Sequence, residues 1–155
     1  MGWSWRTRRS LFVMASWHEV EAEAPELAAR ARQLFDANKH KTLATLRRDG
    51  SPRISGIEIT FDDGELRFGS MWRAVKALDL QRDPRFAIHS ASDGAAFQAD
   101  AKVAGRVEEL SSDERSHLFR ADITELVVIG LGGDPPDHLV IESWHAGRGV
   151  TTRKR

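Results

Sequence analysis

Apolar residues first recur at helical spacing. Leu27, Ala28, Ala31, Leu34 and Phe35 fall on one face between Pro25, well suited to a first helical turn, and about Ala37. From Lys41 the period shortens to that of strands. LATLRRDGSPRISGIEITF reads as two strands around the turn pair Asp49-Gly50, and Asp63-Gly64 turns the chain again into a strand from Glu65 to Gly69. A helix follows, with Ser70 as its expected cap and Asp83-Pro84 as its stop.

Strand spacing returns over Arg85 to Ala91, with Asp93-Gly94 as the next turn. In FQADAKVAGRVEEL, Ala99, Ala101, Val103, Gly105 and Val107 share one face, opposite Asp100, Lys102, Arg106 and Glu108. Ser111 or Ser112 is expected to cap a short helix carrying Leu118 and Phe119. Strands over Glu125 to Leu131 and His138 to Trp144 flank a GGDPPD turn. Six or seven short strands, mostly hairpin-linked, with few helices predict an antiparallel barrel or sandwich, mainly β with flanking helices. Small residues on the inner face of the fifth strand suit a tightly curved barrel.

Composition narrows the function. The chain has 155 residues, 41% hydrophobic and 30% charged, as expected of one globular domain. Lys plus Arg and Asp plus Glu number 23 each, so no global field favours nucleic acid or an anionic membrane. The lack of Tyr and the scatter of Phe argue against a base-stacking surface. There is no cysteine, which removes disulfides and thiolate chemistry and fits a cytoplasmic protein.

Residues 1–15 are expected to be a disordered leader, since the basic run is followed by only five apolar residues, Leu11 to Ala15, and a signal peptide wants a run of roughly 7–15. Translation from Met14 is an alternative to Met1. The domain is expected over 16–149, with 150–155 as a solvated basic tail.

Candidate chemistry concentrates in GSMWRAVKALDLQRDPR, Gly69 to Arg85. Read as a helix opening at Ser70, it places Arg73 and Lys76 near the positive end of the helix dipole. A bound anion would turn both into ligands through charge-assisted hydrogen bonds. The alternative is two solvated cations, with Arg73 packing on Trp72. Elsewhere, Gly130, Gly132 and Gly133 do not form G-x-G-x-x-G, the six histidines show no metal-binding spacing, and no serine sits in a G-x-S-x-G elbow. Trp144, close to Gly147-Arg148-Gly149, is either core or a flat surface flanking a ring.

Taken in order, TLATLRRDGSPRISGIEI, LRFGSMWRAVKALDLQRDPRFAIHS, VAGRVEEL and LVIESWHAGRG resemble the split-barrel flavin-binding family typified by pyridoxamine 5′-phosphate oxidase, over about Ala37 to Arg148. The family carries a Lys in the central helix shortly before an Asn/Asp-Pro, as Lys76 and Asp83-Pro84 stand here. The resemblance implies a six- to seven-stranded split β-barrel and a homodimer with FMN, or the deazaflavin F420, at the interface. It implies Lys76 at the cofactor phosphate, with Ser70, Met71 and Arg73 in the same pocket. Trp72 is either a pocket wall or core. Arg53, Ser55 and Ile57 would run along the ring, and Trp144 and Arg148 of the other subunit would close the site. The implied activity is hydride transfer between the cofactor and a small organic substrate, the alternative being a non-enzymatic cofactor carrier. Ser55 stands where pyridoxamine-phosphate oxidases have a basic residue, and GRGVTTRKR lacks their Arg/His-rich substrate motif, so vitamin B6 oxidation is not expected.

Overall fold

Among the described residues, three helices and nine strands follow in the order α1 (Trp17–Glu23), α2 (Pro25–Asp36), β1 (Lys41–Leu46), β2 (Pro52–Ile57), β3 (Ile59–Asp62), β4 (Glu65–Met71), α3 (Val75–Arg82), β5 (Arg85–His89), β6 (Ala99–Ser112), β7 (Ser116–Gly132), β8 (His138–His145) and β9 (Gly149–Lys154). The computed structural model describes residues 13–91 and 96–155. The turn expected at Asp93-Gly94 and the first twelve residues of the expected leader lie outside the described residues.

The strands form one antiparallel sheet in the order β2-β1-β5-β6-β7-β4-β3, with β8 on β7 and β9 on β8. β7 is where it divides. Ser116 to Arg120 pair with β4, whereas Glu125 to Gly132 pair with β8. In the gap between those partners, Ala15 and Ile123 exchange backbone hydrogen bonds of 2.9 and 2.7 Å. The sheet curls without closing, which is the split barrel, built from nine strands where six or seven were expected.

Local chemistry explains most elements. Asp63 and Gly64 both take left-handed φ, 49° and 71°, the conformation a two-residue hairpin needs, and so separate β3 from β4. The long β6–β7 hairpin shifts register between Ala104 and Gly105, where a Cβ on Gly105 would lie 2.0 Å from the Asp122 carbonyl oxygen. Only glycine permits that approach. α1 opens with a reciprocal capping box between Ser16 and Glu19. Pro25 opens α2, which buries Leu27, Ala28, Ala31 and Phe35. Trp17 and Phe35 both pack on Phe61, at 4.6 and 6.3 Å between ring centroids.

Three expectations are corrected. No helix carries Leu118 and Phe119: both lie in β7, and the side chain of Asp113 accepts the N–H groups of Arg115 and Ser116, closing a hairpin where a helix cap was expected. Ser70 caps no helix. It belongs to β4, paired across to His117, and α3 starts later with Ala74 as a cap lacking any side-chain hydrogen bond. The basic end of the chain, expected as a tail beyond the domain, is solvated but forms a strand, Gly149 to Lys154 pairing along β8 as β9.

Candidate functional site

Between β2, the end of β4 and the β6–β7 turn lies a cleft of about 740 Å³. That volume is in the range of small-molecule sites. Ile57, Ser70, Met71 and Lys76 line it, four residues singled out in the sequence, joined by His40, Gly56, Glu58, Arg115 and Ser116. Of these, His40, Arg115 and Ser116 were missed because they come from the approach to β1 and from a turn read as a helix cap. Alternation along β7 is the signal that could have found Ser116, since it and Leu118 face the cleft while His117 and Phe119 are buried.

The charge of the cleft follows from its pairing. Lys76 reaches from the first turn of α3 to β2, its Nζ donating to the Gly56 carbonyl at 2.6 Å. Among the described residues neither Lys76 nor Arg115 has a carboxylate partner, whereas Glu58 is matched by Lys39 at 3.5 Å and His40 at 3.8 Å. Two uncommitted cations in a concave surface favour an anionic ligand.

The remaining candidates are placed elsewhere. Arg73 precedes α3 in a left-handed conformation (φ 56°), and its backbone N–H donates to Nε2 of His117 at 3.1 Å. Trp72 stacks on the same imidazole, 4.9 Å between centroids and 12° between planes. Arg53 is committed: its Nε donates to Asp79 Oδ2 at 2.7 Å. The same carboxylate, 2% exposed, accepts from Thr45 at 2.8 Å and from Arg82 at 2.9 Å. Burial opposes the charge of Asp79, but hydrogen bonds from Arg53, Arg82 and Thr45 outweigh it and hold the carboxyl below its ordinary range. Ser55 sits opposite Leu43 in the β1–β2 ladder and does not line the cleft. Trp144 is core, fully buried with its indole N–H donated to Glu23 at 2.9 Å, so its ring face is not available within this chain. Arg148 is exposed in the β8–β9 turn.

Among the described residues no cluster of three or more His, Cys, Asp or Glu is arranged to hold a metal ion, and no helix is long and apolar enough to cross a membrane.

No curated protein matches the chain. PhzG from Burkholderia lata 383, solved with tetrahydrophenazine-1-carboxylic acid, superposes with a TM-score of 0.68 at 12% identity, covering 90% of this chain and 95% of that one. A pyridoxamine 5′-phosphate oxidase-related, FMN-binding protein from Nostoc punctiforme PCC 73102 gives 0.62 at 16% identity, covering 88% and 96%. A structure described as an F420 reductase gives 0.52 at 17% identity, covering 61% and 94%. At these identities the likeness is one of fold. The sequence carries the rest: the family model described as pyridoxamine 5′-phosphate oxidase matches residues 27–142, from α2 to the middle of β8, and the chain belongs to that family.

Proposed function

We propose that the cleft binds a flavin-type cofactor, FMN or F420, and that the protein transfers hydride between it and a small organic substrate. The observation that carries this reading is Lys76 standing without an acidic partner among the described residues, beside Ser70, Met71 and Ile57, in a family whose structural relatives include an FMN-binding protein and an F420 reductase. The residues fit an anionic, partly apolar group. Lys76 holds only a carbonyl oxygen, which an anionic phosphate can replace with a stronger, charge-assisted bond. Met71 offers an apolar wall, and Arg115 brings a second cation from the β6–β7 turn.

When bound, the cofactor supplies the hydride chemistry, and the protein's part is to orient it and shape its field. Lys76 anchors the anionic tail. β2, with Gly56 bare of a side chain, forms the floor. Vitamin B6 oxidation is not part of the proposal, because Ser55 stands where those oxidases have a basic residue and the C-terminal substrate motif is missing.

We propose further that the working unit is a homodimer. Met71 of the cleft is 79% exposed, and Ile54 of β2 and Val75 of α3 are 75% and 52% exposed, apolar surface that a second copy would cover. Arg148, exposed in the β8–β9 turn, would contribute from that copy.

Calorimetric titration with FMN and with F420 tests the reading and chooses between the cofactors. Absence of binding to either one overturns it. Binding without turnover of any electron acceptor identifies a carrier.

A further inference from the structure

His117 lies behind the cleft, on the core side of β7, and is 2% exposed. Its Nε2 accepts the backbone N–H of Arg73 at 3.1 Å, and its Nδ1 lies 2.7 Å from Glu109 Oε1. A ring nitrogen that accepts a hydrogen bond carries no proton. This geometry fits a neutral imidazole with its proton on Nδ1 donated to the carboxylate. Glu109 also accepts from Gln81 of α3 at 2.9 Å. The residue held by Nε2 is itself in a left-handed conformation, φ 56°, which a residue with a Cβ adopts only under constraint. One acceptor nitrogen and one stacked ring thus pin the turn that joins Met71 of the cleft to α3, which carries Lys76.

We infer that His117 is a positioning residue that keeps the cleft in its ligand-binding shape only while it is neutral. A proton on Nε2 converts the acceptor into a donor pointed at the Arg73 N–H, and the turn is released. The protonated state is not an empty alternative, because Glu109 from β6 remains in place to pair with the imidazolium. The other groups facing the ring do not oppose this: α3 contributes the neutral Gln81 through Glu109, and Ser70 of β4 and Ser112 of β6 are its cross-strand neighbours. The turn itself carries the Arg73 cation, which disfavours the imidazolium without supplying an acceptor. Burial opposes ionisation of Glu109, yet the hydrogen bonds from His117 and Gln81 outweigh it and keep the carboxyl below its ordinary range.

The inference rests on the cleft being the ligand site, and the test separates the two. In protein without ligand, long-range proton–nitrogen correlation should show the His117 proton on Nδ1, and the Arg73 amide should shift and exchange faster as the histidine titrates. FMN affinity should fall about three- to tenfold, the scale of one lost hydrogen bond, on acidification that protonates the imidazole. His117→Gln keeps a carbonyl for the Arg73 N–H and an amide for Glu109 but does not titrate, so its profile should lack that step. The phosphate's own titration is common to both proteins and cancels in the comparison. Glu109→Gln should move the wild-type midpoint to lower pH, since the imidazolium loses its counter-charge. A proton on Nε2 at neutral pH, an Arg73 amide indifferent to acid, or parallel affinity profiles in wild type and His117→Gln each overturn the inference. Failure of FMN to bind at any pH removes the cofactor reading, while the amide titration still decides the role of His117.

Discussion

Helices α2 and α3 lie on the same sheet, and different chemistry keeps each of them there. α2 runs twelve residues and buries Leu27, Ala28, Ala31 and Phe35. α3 runs eight and buries Ala77, Leu80 and a carboxylate, Asp79. Its other attachments are polar: Lys76 to Gly56, Gln81 to Glu109, Arg82 to the Leu46 carbonyl, and Asp79 to Thr45 and Arg53. Apolar burial is indifferent to protons, whereas a helix tethered by ionisable groups is held only while those groups keep their charge. The helix bordering the cleft is the second kind.

The sharpest break of this comparison is Phe35→Ala, which should destabilise by about 3–5 kcal/mol, measured by urea denaturation at neutral and mildly acidic pH. The loss should be the same at both, and a strong pH dependence would refute the contrast. Asp79→Asn comes next, at about 2–4 kcal/mol for breaking a buried charged cluster, moderated because Arg53 and Arg82 keep 26% and 31% side-chain exposure and can hydrate.

The sign with pH is fixed by the direction of the shift. The folded-state pKa of Asp79 is depressed, so its contribution is complete above the ordinary carboxylate pKa and is lost as pH falls through the folded value. Asp83, at the end of α3, behaves alike: hydrogen bonding from Arg85 brings its pKa down from 3.8 to about 2. Native-state hydrogen exchange should therefore show α3 amides losing protection between about pH 4 and 2 while α2 stays protected. Simultaneous loss in both helices would contradict the picture.

Lys76→Ala should leave stability within about 0.5 kcal/mol but weaken FMN binding by about 1.5–3 kcal/mol, the scale of a hydrogen bond to a charged group. Unchanged affinity for both FMN and F420 would remove Lys76 from the site. Arg148→Ala should be smallest, within about 0.5 kcal/mol in stability. Cofactor affinity should fall only in protein shown by sedimentation to be dimeric.

The sequence was most legible where local chemistry decides. Pro25 and the helical period located α2, and the Asp-Gly pairs located two hairpins. It was misleading where one motif serves two structures. Ser-Asp-Glu-Arg-Ser can cap a helix or close a hairpin, and pairing of Ser116 to Arg120 with β4 decided for the hairpin. The same pairing carried Ser70 into a strand. α1 was missed although Ser16 and Glu19 spell a capping box, because the stretch before Pro25 was read for export signals.

At the candidate site, the residues along β4 and α3 could be found by motif. The partners of Arg53 and Trp144 could not, since Asp79 lies 26 positions from the first and Glu23 lies 121 from the second. No local pattern reports a contact of that range.

The bridge between Ala15 and Ile123 bears on how the protein avoids sticking to itself. Where β7 passes from one partner strand to the other, its backbone would present an N–H and a C=O with nothing beside them, and Ala15 fills that slot with both. A protease cut just after Ala15 would spare every helix and strand, yet it would leave an unpaired edge in the middle of a sheet. Such an edge is a template for a strand from another molecule. The stretch just before the first helix thus closes the barrel's seam at the point where β7 changes partner.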